Sequence, residues 1–137
     1  MNHLYLCTYE KYLSSQMALT LDEMDAIYTQ MTQGTEQDED AKELFQDILV
    51  QAINYMQYRA NWILWDREKK IKSDEMRTMC HDSLIIKLNI FARYMKAKGY
   101  STEWRDILGD EKANSYTRKR IGDFACYMVL IYALGAR

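Results

Sequence analysis

Not one residue of this chain is proline. At an average usage of about 5% a chain of this length would hold roughly seven. Proline is the residue that most strongly interrupts a helix, because it lacks the backbone N–H and its ring collides with the preceding turn. Glycine, the next strongest interrupter, occurs only five times in 137 residues. The backbone is therefore open to long helices, and the periodicity agrees. Apolar residues recur at three- and four-residue spacing, and no alternating strand pattern is visible. The expected fold is all-α, a bundle of five or six helices with no sheet, in an orthogonal or up-down arrangement. The length suits one domain over residues 1–137. With 48% hydrophobic and 28% charged residues the chain can bury a core, which excludes wholesale disorder.

The N-terminal Met1-Asn2-His3-Leu4-Tyr5-Leu6 has no basic region leading into an apolar run, so no signal peptide is expected. The longest uncharged run, Phe124 to Ala136, has thirteen residues. A membrane span needs about 20, so this run reads as a buried helix. Cys7, Cys80 and Cys126 are odd in number, distant from one another and without a CxxC pair, as reduced core cysteines of a cytoplasmic protein would be. Residues 1–66 carry eleven Asp/Glu against three Lys/Arg, a balance of −8, and residues 67–137 carry nine against fifteen, a balance of +6. Attraction between the halves, within one chain or across a dimer, explains this asymmetry better than a surface for a phosphate-rich partner. The pI of 5.7 is far from the basic footprint of nucleic-acid binders.

Leu4, Tyr5, Tyr9, Tyr12 and Leu13 give residues 2–17 a helical aromatic pattern. Thr20 and Glu23 form a capping-box signature for a helix through Met24, Ile27, Tyr28 and Met31, stopped by Gly34. The acids Glu36, Asp38, Glu39 and Asp40 lack the alternation and glycine of a calcium loop and suit the start of the next helix. That helix is predicted from about Asp40 to Lys70. Its broad apolar arc is Leu44, Phe45, Ile48, Leu49, Ala52, Ile53, Met56, Ala60, Trp62 and Ile63, opposite Asp47, Asn54, Gln57 and Asn61. The basic run Arg67 to Lys72 would close it with the charge that suits a helix C-terminus. Ser73 or Asp74 would cap a helix ending at Gly99. Ser101 or Thr102 would begin a short turn through Trp104 to Leu108, closed by Gly109. A last helix would start between Asp110 and Tyr116 and end near Leu134.

The helix from about Asp74 to Lys98 is the most informative. Leu84, Leu88, Phe91 and Met95 form an apolar stripe. Asp82, Asn89 and Arg93 line up on the far side, flanked by Met79, Ile86 and Ile90 and by Ile85 and Ala92, while Ser83, Lys87 and Lys98 form a separate face for water. The expectation is a polar set inside an apolar surround, satisfied internally or by Asp123 of the last helix, which could pair with Arg93 or locally with Arg120 and Lys119. Gly122 signals close helix packing or a helix start. Such a set serves first as a network fixing one packing of the bundle, then as a ligand pocket, and least readily as a catalytic site.

His81 follows Arg77 by one helical turn and adjoins Asp82, an arrangement that resembles the HEPN-type helical ribonucleases, whose Arg and His act together on phosphodiesters. In that family four to six residues separate the pair, and here three do (Thr78, Met79 and Cys80). No metal-binding Cys/His spacing, nucleophile elbow or phosphate-cradling loop is present, so no catalytic residue, metal or cofactor is expected. Arg118-Lys119-Arg120 beside Tyr116 reads as a solvated face before it reads as a nucleic-acid grip.

Arg77, His81-Asp82, Asn89, Arg93-Tyr94, Trp104-Arg105, Leu108-Gly109-Asp110, the run Arg120 to Cys126 and the final Arg137 together resemble an uncharacterised family of small, helical bacterial proteins with no assigned function. The resemblance covers about residues 77–137. Members of that family resemble proteins of phages and mobile elements, and the resemblance implies a place in host–parasite interaction.

The expected function is that of a non-enzymatic interaction protein, self-associating and binding a protein partner through an aromatic and charged helical surface. The alternative is a module for a small anionic, phosphate-containing ligand, with Arg77, His81, Arg93, Arg105 and Arg120 around one cavity. Trp104 completes the candidate binding set.

Overall fold

The computed structural model describes the backbone of residues 18–64, 67–109 and 115–135, and their side chains apart from 60–74 and 115–118. The aromatic pattern of residues 2–17 with His3 and Cys7, the side chains of Trp62, Ile63, Ser73, Asp74, Tyr116 and Arg118, and Asp110 and Arg137 lie outside the described residues. Among the described residues there are five helices and no strand: α1 (Leu21–Thr32), α2 (Glu39–Leu64), α3 (Arg67–Ala97), α4 (Glu103–Leu108) and α5 (Ser115–Leu134). The fold is all-α. No helix among them is long and apolar enough to cross a membrane.

α1 forms as its sequence dictates. The Glu23 N–H donates to the Thr20 hydroxyl at 3.1 Å and the Thr20 N–H donates to the Glu23 carboxylate at 2.9 Å, which closes the capping box. Met24, Ile27, Tyr28 and Met31 are all buried. Gly34 then takes φ 80, a left-handed turn that suits glycine.

α2 and α3 make the most extensive helix pair and run antiparallel, with Asp38 against Tyr94, Phe45 against Phe91 and Tyr55 against His81. The break between them falls earlier than the charge pattern predicts. α2 ends at Leu64 and Arg67 to Lys72 open α3 instead of closing α2. The dipole preference for cations at a helix end is worth less than about 1 kcal/mol when exposed, and the packing of two long helices back to back outweighs it. The inward stripes hold: Ile48, Leu49, Ala52 and Met56 of α2 and Leu84, Leu88, Phe91 and Met95 of α3 are buried.

α5 fills the space beside this hairpin. Its nine consecutive residues from Ile121 to Val129 are all buried, including Asp123, so this stretch has no face for water. The buried part of the uncharged C-terminal run stops there, because Tyr132, Ala133 and Leu134 are exposed. A chain of ring contacts ties the layers together. Phe45 meets Tyr28 of α1 at 5.7 Å and Phe91 of α3 at 6.4 Å, Phe91 meets Trp104 of α4 at 5.8 Å, and Tyr28 meets Tyr127 of α5 at 6.4 Å.

Asp38 locks one end of the hairpin. Its carboxylate caps α2 by accepting from the Ala41 N–H at 3.1 Å, and accepts the hydroxyls of Tyr94 at 2.7 Å and Tyr100 at 3.1 Å. The Tyr94 hydroxyl and the Ala41 N–H hold the Asp38 carboxyl below the usual carboxylate range, with Lys98 adding a smaller attraction. The same bond pushes the Tyr94 hydroxyl up to about 12. A depressed carboxylate contributes stability above its unfolded pKa and loses it as pH falls through the folded value. A raised tyrosine loses its contribution as pH climbs from 10 towards 12. Asp38→Asn, which keeps a capping oxygen and removes the charge, is expected to lower the thermal midpoint at neutral pH and flatten its decline on the acid side. Thermal melts of both proteins across pH check this, and parallel declines contradict it.

Candidate functional site

The sequence-predicted residues fall into three places. The first is a buried polar seam between α2, α3 and α5. Tyr55 sits seven residues after Ile48, in the middle of the apolar arc of α2, and its hydroxyl accepts from Arg59 Nη1 at 2.6 Å. The Arg59 guanidinium lies 5.9 Å from the Tyr55 ring. Burial pushes the Tyr55 hydroxyl up, and the positive charges of Arg59 and Arg77 partly offset it. His81, 4% exposed, packs its ring 6.2 Å from that of Tyr55, with Nδ1 3.7 Å from the Asp82 carboxylate. Its imidazole is thus packed between α2 and α3.

On the α5 side of the seam, the Asp123 carboxylate is fully buried and accepts from the Ala18 N–H at 2.8 Å, fastening the approach to α1 onto α5. It does not bridge to Arg93, which is exposed on the outer side of α3. Burial pushes the Cys126 thiol up to about 12 despite nearby Arg59. Burial also raises the Cys80 thiol, the other free cysteine among the described residues.

The second place is the α4 corner. Arg105 Nε donates to the Asn89 side-chain oxygen at 2.8 Å and Arg105 Nη1 donates to the Gly109 carbonyl at 2.5 Å. Arg120 Nη1 donates to the Ile107 carbonyl at 3.3 Å. Both arginines satisfy carbonyls at the end of α4, where a helix leaves them without internal partners. Trp104 is fully buried against Phe91 and belongs to the core. Arg77 and His81 lie at the Tyr55 seam, Arg105 and Arg120 at this corner, and Arg93 on an outer face, so the five cations proposed to surround one cavity are spread over three locations.

The third place is the outward face of α3, and here the sequence expectation is corrected. Asp82 and Arg93 are exposed, not enclosed, and of the three aligned polar residues only Asn89 turns far enough to reach another helix. The flanking apolar residues are exposed as well: Met79 by 63%, Ile86 by 60% and Ile90 by 40%. The core stripe of α3 packs against α2, α4 and α5, and among the described residues no further helix lies over its other side. Ser83 and Lys87, expected in water, are half-buried instead. Among the described residues no group of three His, Cys, Asp or Glu side chains could hold a metal ion.

Tyr55 and Arg59 are the seam residues that the periodicity of α2 could have revealed, since they share the angular position of Ile48 and Ala52. Gly122 was legible. A Cβ added there would run into the Tyr55 hydroxyl and lie 3.1 Å from Tyr55 Cζ and 3.3 Å from Arg59 Nη1. Gly122→Ala is therefore expected to destabilise by about 1–2 kcal/mol, the overpacking cost less the gain in helix propensity. Tyr55→Phe removes the atom in the way, so the double variant should lose less than the two single losses combined, as urea unfolding will show. Strict additivity contradicts this contact.

No protein-family model, curated protein or solved structure matches this chain.

Proposed function

We propose that this chain is a non-enzymatic interaction protein that docks another protein through the outward face of α3. The observation that carries the reading is the alignment of Met79, Ile86 and Ile90, seven and four residues apart and all exposed, on one stripe of a rigid helix. Contiguous apolar surface rimmed by charge is characteristic of a docking site, because isolated apolar residues are ordinary on a surface and aligned ones are not. Asp82 and Arg93 supply the charged rim, and the hairpin with α2 holds the stripe in place so that little order is lost on binding. The free thiols of Cys80 and Cys126 suit action in a reducing, cytoplasmic compartment.

A photo-crosslinking amino acid placed at Ile86, in the cells that naturally make the protein, tests the reading. A discrete protein adduct is expected from position 86 and none from the exposed Gln46 of α2. Equal labelling from both positions, or none from Ile86, contradicts it.

A further inference from the structure

We infer that the occupant of this face is a second copy of the chain, packed with its α3 antiparallel to the first across a two-fold axis. The inference rests on the reading of the face as a docking surface and deepens it by naming the partner. It comes from how charge is distributed along the stripe. The apolar centre is Ile86 and Ile90. Asp82 lies four residues before Ile86 and Arg93 three residues after Ile90, with opposite charges, on the same side of the helix.

Turning a second α3 end for end over a point midway between the two isoleucines sets Ile86 of each copy against Ile90 of the other. The same rotation brings Asp82 of each copy to within one residue, about 1.5 Å of rise, of the level of Arg93 of the other. Two attractive pairs then flank an apolar centre. Met79, the most exposed apolar residue of the stripe, comes level with the small, exposed Ala97. An interface across a two-fold axis must be complementary to itself, and this stripe is. A parallel pairing would set Asp82 against Asp82 and Arg93 against Arg93. A different protein would need only to match the stripe, with no reason for its charges to be balanced about Ile86 and Ile90. Glu75 before Met79 and Lys96 near Arg93, both exposed, extend the same polarity. A contact made by one helix pair sits at the low end of interface size, so the dimer is concentration-dependent.

Sedimentation velocity of the full chain over a wide concentration range tests this. The wild type is expected to pass from monomer to dimer. Asp82→Arg and Arg93→Asp each turn both attractive pairs into repulsions and should weaken dimerisation about tenfold or more. An equimolar mixture of these two variants restores both pairs, and so does the double variant Asp82→Arg/Arg93→Asp alone; both should dimerise nearly as wild type does. Ile86→Glu should remain monomeric. All three positions are exposed, and thermal melts will establish that the variants stay folded. A wild type that stays monomeric throughout, single reversals that dimerise normally, or a mixture that fails to recover overturns the inference. If the wild type is monomeric while position 86 still crosslinks to a different protein, the second copy is wrong and the docking reading stands. If it is monomeric and nothing crosslinks, both fall.

Discussion

Tyr55 of α2 and Gly122 of α5 lie so close that no side chain fits between them, and the bundle is organised around that approach. A helix can come this near only where the facing residue has no Cβ, and here the facing residue is the second of nine consecutive buried positions. Because α5 has no wet face over that stretch, α1, the α2–α3 hairpin and α4 must all cover it. Two of the polar groups drawn inside are met where they lie: the Tyr55 hydroxyl by Arg59 and one oxygen of the Asp123 carboxylate by the Ala18 N–H. A buried polar group left without a partner would cost on the order of 1–3 kcal/mol.

The same economy runs through the rest of the chemistry-bearing side chains. Asp38 with Tyr94 and Tyr100, Arg105 with Asn89 and Gly109, and Arg120 with Ile107 each join the end of a helix to a neighbour. These contacts close helix termini and fix the angle at which elements meet. The proposed docking surface is the part of α3 that no other helix among the described residues covers.

The fold class and the inward faces were legible in the sequence because they follow from periodicity and from the absence of proline. Met24, Ile27, Tyr28 and Met31 repeat at helical spacing and are buried, the Thr20–Glu23 box forms, and Gly122 marks close packing. The outer side of α3 was not. Met79, Ile86 and Ile90 satisfy a helical period as well as Leu84, Leu88 and Phe91 do, so composition places both stripes inside. Only the number of neighbouring elements decides which stripe is covered. Asp82 and Arg93 within the outer stripe were the available signal, since two charges in an apolar row are cheaper in water than in a core. Similarly, Asp123 could not be assigned a partner from sequence, because Ala18 is 105 residues away and offers a backbone N–H that every residue type possesses.

α3 buries one apolar stripe and leaves the other bare within a single chain. The nine methionines of this protein report on it directly. Met79 is largely exposed, while Met24, Met31, Met56, Met95 and Met128 are buried. Hydroxyl-radical or peroxide footprinting of dilute protein, read by mass spectrometry peptide by peptide, measures each thioether separately. Met79 is expected to oxidise far faster than those five. Oxidation of Met79 as slow as that of Met24 in dilute solution would mean that the stripe is covered within the chain, and would contradict it.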